Sequence, residues 1–399
     1  MPRIVRIINR FNLGGITYNV SLLTKYLEPE YETILIGGVK QKSEESSEFI
    51  LEQLGIKPVI IPEMSRQINL PDDVVAYRKI SRIIRDFKPD IVHTHAAKAG
   101  ALGRLAAFRN NVPVIVHTYH GHIFHSYFNS VKTKIFLGIE RYLAKRSDVI
   151  IALSENQKKE LTTMHRVCEP EKMRVIPLGF DLGRFYTDVE IKRKFFREKY
   201  LVEENEIAIG IIGRIVPVKN HALFIHSLKS VLEKTSKNIK AFIIGDGEDR
   251  KKIETLAEQS AIRFSTPEKN VPRAKLIFTS WMRDVDVAVA GLDIIAMTSL
   301  NEGTPVSIIE AQAGSKPVVA TSVGGIENVV IAGETALLSP SDHVEKFSSN
   351  LLEVIENENL RKKMSQKGHE FVNNRFSYQR LAKEMSALYS ELLVKKHLR

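Results

Sequence analysis

Residues 292–310 read LDIIAMTSLNEGTPVSIIE, and this stretch sets the pattern for the whole chain. Its apolar beginning predicts a buried strand. Thr304 is a residue type that favours the N-cap of a helix, and Pro305 suits the first helical position, where a missing N–H costs nothing. The stretch is therefore a predicted strand, loop and helix, with Glu302 in the loop and Glu310 about one and a half turns into the helix.

The loop and the helix start have the features of an anion site. Free backbone N–H groups near residues 304–307 and the positive end of a helix attract negative charge. Two carboxylates beside such a site suit a ligand that carries hydroxyl groups and a phosphate, as a nucleotide sugar does. The same residues also fit a capped surface helix with a solvated glutamate, and this stretch by itself leaves both interpretations open.

The alternation of strand and helix runs through the first half of the chain. Predicted strands lie at residues 4–8, 32–37, 58–61, 90–94, 113–118, 148–152 and 173–176, and predicted helices at 16–28, 44–54, 72–87, 97–109, 130–146 and 155–163. Alternation at this spacing predicts an α/β fold with a mostly parallel, doubly wound sheet, whose ligands lie at the carboxyl ends of the strands. Gly14 and Gly15 follow the first strand, where paired glycines let backbone N–H groups approach a phosphate, although tight turns also use glycine.

The pattern stops near residue 177 and begins again near residue 207, so the chain divides in two. At 399 residues it is too long for one ordinary core. We predict an N-terminal Rossmann-like domain at residues 1–180, a C-terminal Rossmann-like domain at residues 181–375, and a long amphipathic helix within residues 376–399. The charged stretch IKRKFFREKYLVEENE is assigned to a linker over residues 178–205.

Histidines concentrate at two predicted strand ends of the first domain. His93 and His95 close one strand, and residues 117–125 read HTYHGHIFH. No Asp or Glu occurs from residue 91 to residue 139, so a hard cation would lack carboxylates, and zinc would need three or four converging histidines. We therefore expect no metal. With Lys98 and its basic neighbours, this region predicts a surface of positive charge and neutral donors, and at least half of its histidines are expected to be surface or packing residues.

Charge and composition restrict the classes of partner. The net charge of +11 favours anionic partners, but the basic residues are scattered and no nucleic-acid module is recognisable, so nucleic acid is not expected. Cys168 is the only cysteine, which suits a cytoplasmic protein. The apolar run at the N-terminus is broken by Asn9 and Arg10 and is not a signal peptide. No window reaches the roughly 18 apolar residues of a spanning helix, so any membrane contact is expected to be peripheral.

Residues 130–146 predict an amphipathic helix with a strongly basic face. One interpretation is an ordinary half-buried helix. The other is a patch on the surface of an anionic membrane, because basic residues flanked by apolar ones suit anionic lipid. Its apolar residues are Ile135, Phe136, Ile139, Tyr142 and Leu143, and its basic residues are Lys132, Lys134, Arg141, Lys145 and Arg146.

The second half carries further glycine turns at strand ends. Arg214 and Lys219 flank the turn at Gly213 with two positive charges, which a protein without a bound metal needs in order to neutralise a diphosphate leaving group. Gly245 and Gly247 form a Gly-Asp-Gly fragment of a dinucleotide fingerprint, which is weak alone. Trp281 follows a strand, and it would either form one wall of a pocket for the base or serve as a packing residue. Each of these features alone also fits an ordinary surface turn.

In order along the chain, these parts resemble family 4 of the retaining glycosyltransferases, which have the GT-B fold. The resemblance covers essentially the whole chain. The motifs that carry it are Gly14-Gly15, G-R-x4-K-N at 213–220, G-D-G at 245–247, E-G-T-P-V-S-x-x-E at 302–310 and K-P-V-V-A-T-x-V-G-G at 316–325. The histidine-rich segment resembles that of bacterial enzymes that build surface polysaccharides or lipid-linked glycans. One departure is Ser315, which stands where the family usually has glycine.

The resemblance implies a fold and a set of roles. Two Rossmann-like domains would face each other across a cleft, and the last helix would cross back to the N-terminal domain. The implied catalytic residues are His120, against the donor sugar, together with Glu302, Arg214 and Lys219. The implied donor site comprises Gly14, Gly15, Gly213, Arg214, Lys219, Gly245, Gly247, Trp281, Glu302, Gly303, Thr304, Pro305, Val306 and Glu310, with Glu310 on the ribose hydroxyls. An acceptor site is expected at His93, His95, Lys98, His122 and His125.

The implied chemistry is front-face transfer with retention. Arg214, Lys219 and the helix N-terminus would stabilise the departing phosphate, which takes the acceptor proton, and both glutamates would bind rather than transfer protons. The donor is expected to be UDP-linked and the acceptor lipid-linked or a polysaccharide intermediate, at the cytoplasmic face of the membrane. Two alternatives remain: a sugar-nucleotide epimerase of the same fold, and a homologue that binds nucleotide sugars without catalysis.

Overall fold

The structure, a computed structural model, describes residues 1–12, 15–40, 46–65, 67, 69–120 and 130–397. The chain divides into two compact units, of which one comprises Met1–Phe180 with Phe376–Arg399 and the other Asp181–Arg375. Each unit contains one seven-stranded sheet whose strands are all parallel. Among the described residues, no helix has the length and apolar content needed to cross a membrane.

The first unit is a parallel sheet with the strand order β3-β2-β1-β4-β5-β6-β7. The strands are apolar along most of their length, because a parallel sheet is covered by helices on both faces. They are β1 Arg3–Arg10, β2 Glu32–Gly38, β3 Val59–Ile60, β4 Ile91–His95, β5 Val114–Thr118, β6 Val149–Ala152 and β7 Met173–Val175. The helices between them are α1 Gly15–Tyr26, α2 Glu48–Gln53, α3 Leu70–Phe87, α4 Ala97–Arg109, α5 Ser130–Arg146 and α6 Glu155–Lys159.

The second unit repeats this architecture with the strand order β10-β11-β9-β8-β12-β13-β14. Its helices are α7 Val189–Lys199, α8 His221–Lys234, α9 Arg250–Gln259, α10 Val285–Gly291, α11 Val306–Ala313, α12 Val344–Glu356 and α13 Glu358–Phe376. Its strands are β8 Glu206–Ile212, β9 Asn238–Ile244, β10 Phe264–Ser265, β11 Leu276–Ser280, β12 Ile294–Met297, β13 Val318–Thr321 and β14 Ala336–Ser339.

The last helix, α14 (Tyr378–His397), belongs to the first unit, as predicted. It lies against α1, and Leu381, Met385 and Tyr389 are buried in one cluster with Ile4 of β1. The apolar face of this helix therefore has its partner in the N-terminal sheet, far away in sequence.

Two predicted boundaries are wrong. Pro305 is the N-cap of α11, with an extended ψ of 95°, so the helix begins at Val306 and Thr304 lies in the loop. Glu310 is consequently about one turn into the helix. The stretch assigned to the linker contains α7, whose Phe196 is fully buried. Arg193 and Arg197 of α7 pair with Asp293, so this helix is part of the second unit and not a linker.

In both sheets the order of the strands reverses at the first strand of the unit. β1 lies between β2 and β4, and β8 lies between β9 and β12. In open α/β sheets, the crevice at the carboxyl end of such a switch point is where ligands bind. The loops that follow β8 and β12 contain seven predicted site residues, namely Gly213, Arg214, Lys219, Glu302, Gly303, Thr304 and Pro305.

Candidate functional site

The loops after β8 and β12 are joined by an ion pair at the switch point of the second sheet. Lys219 Nζ lies 2.5 Å from Glu302 Oε1, and the Ser299 hydroxyl donates to the same oxygen at 2.6 Å. Thr298 Oγ1 donates to the Lys219 carbonyl at 2.9 Å, which fixes the backbone that carries the lysine. Only 11% of the Glu302 side chain is exposed, and 25% of the Lys219 side chain. The structure thus brings together two residues that the sequence separates by 83 positions.

The two glycines after β13, Gly324 and Gly325, pack against the backbone of the loop that carries Glu302. The Gly325 amide donates to the Glu302 carbonyl at 2.8 Å. A Cβ on Gly325 would lie 1.4 Å from the Gly303 carbonyl oxygen, and one on Gly324 would lie 2.2 Å from that of Glu302. Gly324 also has a φ of +53°, in the left-handed region that glycine adopts readily. The loop that carries Glu302 therefore sits directly on a backbone turn that only glycine fits.

The glycines after β9 are in contact with the loop after β8. A Cβ on Gly245 would lie 2.1 Å from the Gly213 carbonyl oxygen, and one on Gly247 would lie 2.3 Å from that of Ile215. The Ile215 amide donates to the Asp246 carbonyl at 3.0 Å. Packing between these two loops is sufficient reason for glycine at both positions, and their predicted contact with the donor stays a prediction.

Arg214 and Trp281 are exposed at the ends of β8 and β11. The Trp281 side chain follows β11 directly, and 63% of the residue is accessible. The carbonyl of Ser280 accepts from the Gly245 amide at 3.0 Å, which places the indole beside the loop after β9. An exposed indole at a strand end is available to stack on a flat ring.

Glu310 of α11 is paired with Arg184, a residue that the sequence did not indicate. Arg184 lies in a short 3-10 turn, Gly183–Phe185, and its Nη2 is 3.2 Å from Glu310 Oε1. Burial raises the pKa of the Glu310 carboxyl to about 7, even though the arginine opposes that rise. Because 126 positions separate the two residues, no local pattern connects them.

The raised pKa of Glu310 predicts a pH dependence of stability. The folded state holds this proton more tightly than the unfolded chain, where the pKa is near 4.5, so the contribution is complete below pH 4.5 and is lost as the pH rises through 7. Between pH 5 and pH 8, wild type should lose about 2–3 kcal/mol of unfolding free energy relative to Glu310→Gln. Urea unfolding of both proteins at several pH values measures this difference, since other titrating groups cancel. Parallel pH curves would contradict the assignment.

Three histidines meet at the ends of β4 and β5 in the first unit. His93 is fully buried, and its ring nitrogens lie 2.6 Å from the Tyr389 hydroxyl and 2.8 Å from the Thr118 hydroxyl. The His95 ring contacts the His93 ring with centroids 4.1 Å apart and planes tilted by 34°, and Nδ1 of His95 lies 2.8 Å from Nε2 of His120. The predicted acceptor contact of His93 is not supported, because both of its nitrogens bond inside the protein and no surface is exposed.

The C-terminal helix contributes to this histidine cluster through Tyr389. Its hydroxyl bonds His93 and also accepts from Arg6 Nη2 at 3.2 Å, while Arg6 Nη1 donates to Thr24 at 3.0 Å. Sequence reasoning missed both Tyr389 and Arg6, although the buried position of a charged residue within an apolar strand was a signal. The C-terminal helix thus holds the strand ends as well as covering the sheet.

A carboxylate does reach the region that the sequence left free of acids. Glu140 of α5 is buried, accepting from Arg104 Nη2 at 2.7 Å and from the Tyr119 hydroxyl at 2.6 Å. His117, also buried, bonds the Thr94 hydroxyl through Nδ1 at 2.8 Å. Because Glu140 is paired on the interior side, it acts in packing and charge balance.

The structure describes only some of the remaining predicted site residues. Lys98 pairs with Asp73 and donates to the Gln67 carbonyl at 2.6 Å, so its charge is compensated. A Cβ on Gly15 would meet nothing within 4 Å, so this glycine has open space beside it. Gly14, His122 and His125 lie outside the described residues. Within the part of the chain that the structure describes, no three His, Cys, Asp or Glu side chains come together as metal ligands.

Helix α5 exposes apolar residues that the half-buried interpretation would bury. Ile135 is 59% exposed, Ile139 43% and Tyr142 51%, whereas the buried face consists of Glu140, Leu143 and Ala144. Arg146 lies over the Phe108 ring of α4 at 4.8 Å. Three apolar residues of this helix, Ile135, Ile139 and Tyr142, thus lie on its solvent face, next to basic residues.

Comparison with known proteins agrees with this architecture. Residues 13–184 match the family described as Glycosyltransferase Family 4, and residues 192–371 match Glycosyl transferases group 1. The chain is 28% identical over 344 residues to UDP-Gal:alpha-D-GlcNAc-diphosphoundecaprenol alpha-1,3-galactosyltransferase of Escherichia coli, covering 86% of this chain and 85% of the relative. It is 27% identical to the capsular polysaccharide biosynthesis glycosyltransferase CapM of Staphylococcus aureus, covering 84% and 85% respectively.

A solved structure extends the likeness to the fold. The structure of Anabaena Alr3699/HepE in complex with UDP superposes with a TM-score of 0.79 at 18% identity, covering 98% of this chain and 100% of that one. Two family matches that fall one on each unit, together with this superposition, confirm the predicted GT-B fold class. The chain therefore belongs to the GT-B glycosyltransferases, with a family 4-type domain at residues 13–184 and a group 1-type domain at residues 192–371.

Proposed function

We propose that this chain is a retaining glycosyltransferase that moves a hexosyl or N-acetylhexosaminyl group from a UDP-sugar to a lipid-linked or polysaccharide acceptor. The observation that carries the proposal is the Lys219–Glu302 pair at the switch point of the second sheet, close in sequence to the start of α11. The pair combines a cation for phosphate with an acceptor for sugar hydroxyls. The name of the E. coli relative, which specifies UDP-galactose and a diphosphate-linked acceptor, supports this substrate class.

Lys219 and Arg214 suit the donor diphosphate. One of the three hydrogens on Lys219 Nζ points to Glu302, so two remain for phosphate oxygens. Arg214 is exposed, and its planar guanidinium matches phosphate geometry. These two fixed positive charges do the work that a divalent cation would otherwise do, and we propose that transfer needs no metal. Chelator-resistant activity is the expected consequence.

Helix α11 provides the remaining donor contacts. Its first backbone N–H groups, near Val306, have no partner within the helix and carry partial positive charge. Glu302, Gly303, Thr304 and Pro305 lead into this helix end and would hold the sugar and phosphate. Glu310 in its ionised form would accept from both ribose hydroxyls, and Arg184 is the counter-charge that favours this form against the effect of burial. Trp281 would stack on the base, whose identity the exposed indole does not select.

The transfer itself is proposed to occur on one face of the sugar. The bond from the anomeric carbon to the phosphate oxygen breaks, and the acceptor oxygen bonds to the same carbon from the same side. The acceptor hydroxyl gives its proton to the departing phosphate, which remains bound to Lys219 and Arg214. His120 would lie against the donor sugar as a neutral group, because burial lowers its pKa to about 3.

The donor prediction is tested by a thermal-shift screen of nucleotides. UDP should raise the melting temperature more than GDP or ADP, and a ligand at 100 times its dissociation constant stabilises the folded state by about 2.7 kcal/mol. Glu310→Ala should abolish this shift, whereas Glu327→Ala, an exposed glutamate of the same unit, should retain it. A larger shift with GDP or ADP would overturn the UDP assignment. Product anomers identified by NMR would then test retention.

The main rival is a sugar-nucleotide epimerase of the same fold. Such an enzyme needs acid and base groups at the histidine-rich strand ends of the first unit, and the carboxylate that reaches this region, Glu140, is held by Arg104 and Tyr119. Incubation with a nucleotide sugar and no acceptor separates the two: an epimerised nucleotide sugar would overturn transfer. A binding homologue without catalysis would show the thermal shift and no turnover with any acceptor.

We also propose that α5 lies on an anionic membrane at the cytoplasmic face. Ile135, Ile139 and Tyr142 are exposed on a helix rich in basic residues. Helix α4, which packs against both α3 and α5, borders a pocket of about 530 Å³. The pocket is lined by Tyr77, Arg78, Ser81, Arg82, Arg85 and Arg109, so α3 and the end of α4 carry a second concentration of positive charge in the same unit.

Vesicle binding tests the membrane proposal. The double variant Ile135→Ser/Ile139→Ser should bind vesicles containing anionic phospholipid at least about tenfold more weakly, because each buried isoleucine contributes roughly 1.5–3 kcal/mol. Ile191→Ser is the control, since Ile191 is an exposed isoleucine on α7 of the other unit. Binding should fall with added salt. Equal binding to neutral and anionic vesicles, or no effect of the double variant, would count against the proposal.

A further inference from the structure

His95 and His120 form a direct ring-to-ring contact at the ends of two neighbouring strands. β4 and β5 pair in register, with His95 opposite Thr118. His120 lies two residues beyond the end of β5. Nδ1 of His95 lies 2.8 Å from Nε2 of His120. At this distance one nitrogen carries a hydrogen and the other accepts it. The tautomer of one ring therefore depends on the tautomer of the other.

Both rings are neutral in this environment. His95 is fully buried, and burial is the main cause that holds its pKa well below the usual value, followed by the neighbouring His93. Burial also lowers the pKa of His120. His93 cannot donate or accept in place of His95, because its nitrogens are bonded to the hydroxyls of Tyr389 and Thr118. His93 is thus not available as a hydrogen-bond partner for the pair formed by His95 and His120.

The two outer nitrogens are buried and have no hydrogen-bond partner among the described residues. They are Nε2 of His95 and Nδ1 of His120. Two neutral imidazoles carry two N–H hydrogens in total, and one of these lies between the rings. The other must therefore lie on one outer nitrogen, and the second outer nitrogen is a bare acceptor. A buried polar atom left without a partner costs about 1–3 kcal/mol, so these atoms are suited to a ligand.

We propose that His95 is a positioning residue for His120: the two rings are one coupled unit, in which the tautomer of His95 decides whether Nδ1 of His120 presents a hydrogen-bond donor or an acceptor to a hydroxyl group of the substrate. If His95 Nδ1 donates, His120 Nδ1 carries the outer hydrogen and His95 Nε2 accepts. If His120 Nε2 donates, the outer hydrogen is on His95 Nε2 instead. Moving the shared hydrogen from one ring to the other therefore moves the outer hydrogen the opposite way, and the net charge does not change.

A hydroxyl group fits both states, because it donates and accepts at once. A ligand atom that only accepts, or only donates, fits Nδ1 of His120 in one of the two states alone. The pair therefore favours sugar hydroxyls at the place where His120 is proposed to lie against the donor. The consequence for catalysis rests on the proposed transferase function, but the coupling between the rings does not.

The coupling is tested by nitrogen NMR of the full-length chain labelled with ¹⁵N-histidine, with His120 assigned from the signals missing in His120→Gln. In the wild type, a scalar coupling between His95 Nδ1 and His120 Nε2 is expected, together with one protonated and one bare nitrogen on His120. No detectable coupling, or a charged His120 at pH 7, would overturn the proposal. This measurement needs no substrate, so its outcome is independent of the proposed function.

Two matched variants show which nitrogen of His95 matters. His95→Asn keeps a polar group near the position of Nδ1, whereas His95→Gln places one near that of Nε2. The Asn variant should keep the nitrogen pattern of His120, and the Gln variant should lose it. In transfer assays, Gln should lower kcat by about tenfold or more with little change in KM for the donor, and Asn should restore most of kcat. Equal spectra and equal rates for both variants would overturn the positioning role.

Discussion

Lys219→Ala should lower kcat for sugar transfer on the order of 10²–10³-fold, the usual loss when one preorganised donor to a developing charge is removed. The lysine is held by Glu302 at 2.5 Å and has hydrogens left for the diphosphate. Its charge is needed most when the phosphate departs, so kcat should fall more than the affinity for UDP. Steady-state kinetics and UDP titration of the same variant measure the two effects. Lys252→Ala, an exposed lysine of α9, is the control and should retain full activity.

A double-mutant cycle distinguishes two roles for Glu302. If Glu302 only orients Lys219, Glu302→Ala in the Lys219→Ala background should cost nothing further. If Glu302 also binds the donor sugar, as we propose, the double variant should lose activity beyond the Lys219→Ala loss. Unchanged turnover in both single variants would refute this site. Folding is checked by thermal melting, because removal of the lysine leaves a nearly buried carboxylate with Ser299 as its remaining donor.

Gly325→Ala should destabilise the second unit by roughly 3 kcal/mol or more, at the upper end of what overpacking costs. The added Cβ would lie 1.4 Å from the Gly303 carbonyl oxygen, and backbone cannot move away as a flexible side chain does. The loop from Glu302 to Pro305 must then shift, so UDP affinity should fall together with the melting temperature. Thermal melting with and without UDP measures both.

Gly138→Ala is the matched control for this substitution. Gly138 lies within α5, and a Cβ there would meet nothing within 4 Å, so alanine should be neutral or should stabilise the helix by up to about 1 kcal/mol. If Gly325→Ala melts like wild type and binds UDP equally well, the loop is not supported by the glycine turn in the way the contacts indicate. A loss of UDP affinity without loss of stability would mean that the shift is confined to the loop.

Local patterns predicted the elements of this fold well where one signal dominated. The bounds of α4 and α5 agree with prediction to the residue, because apolar periodicity and flanking turns are both present there. The start of α11 was placed too early, since proline is compatible both with the N-cap and with the first helical position. The charged stretch around α7 predicts a linker because most of its residues are polar or charged. The burial of Phe196 and the pairing of Arg193 and Arg197 with Asp293 show instead that the helix is packed.

The sequence predicts a chemical role for individual site residues, and those roles stay predictions, but it does not predict several of the partners that these residues have in the structure. Lys219 and Glu302 were assigned separately to phosphate and sugar, and the structure shows that they are bonded to each other. Arg184 beside Glu310 and Tyr389 beside His93 carried no signal in spacing, because a charged or aromatic residue in a loop or amphipathic helix is ordinary. His93 was predicted to contact the acceptor, yet the sequence of a strand end does not say which side chain is covered by a distant helix.

By itself, the sequence determined that the chain has two doubly wound α/β halves, and it predicted a candidate site at strand ends, because periodicity, turn glycines and helix starts are set by neighbours along the chain. Only the tertiary structure decided which groups meet. Lys219 and Glu302 are 83 positions apart, Arg184 and Glu310 126, and His93 and Tyr389 296. Parallel strands connected by helices bring distant loops to one edge of a sheet, and which side chains pair there depends on strand order and packing, which no local window of sequence contains.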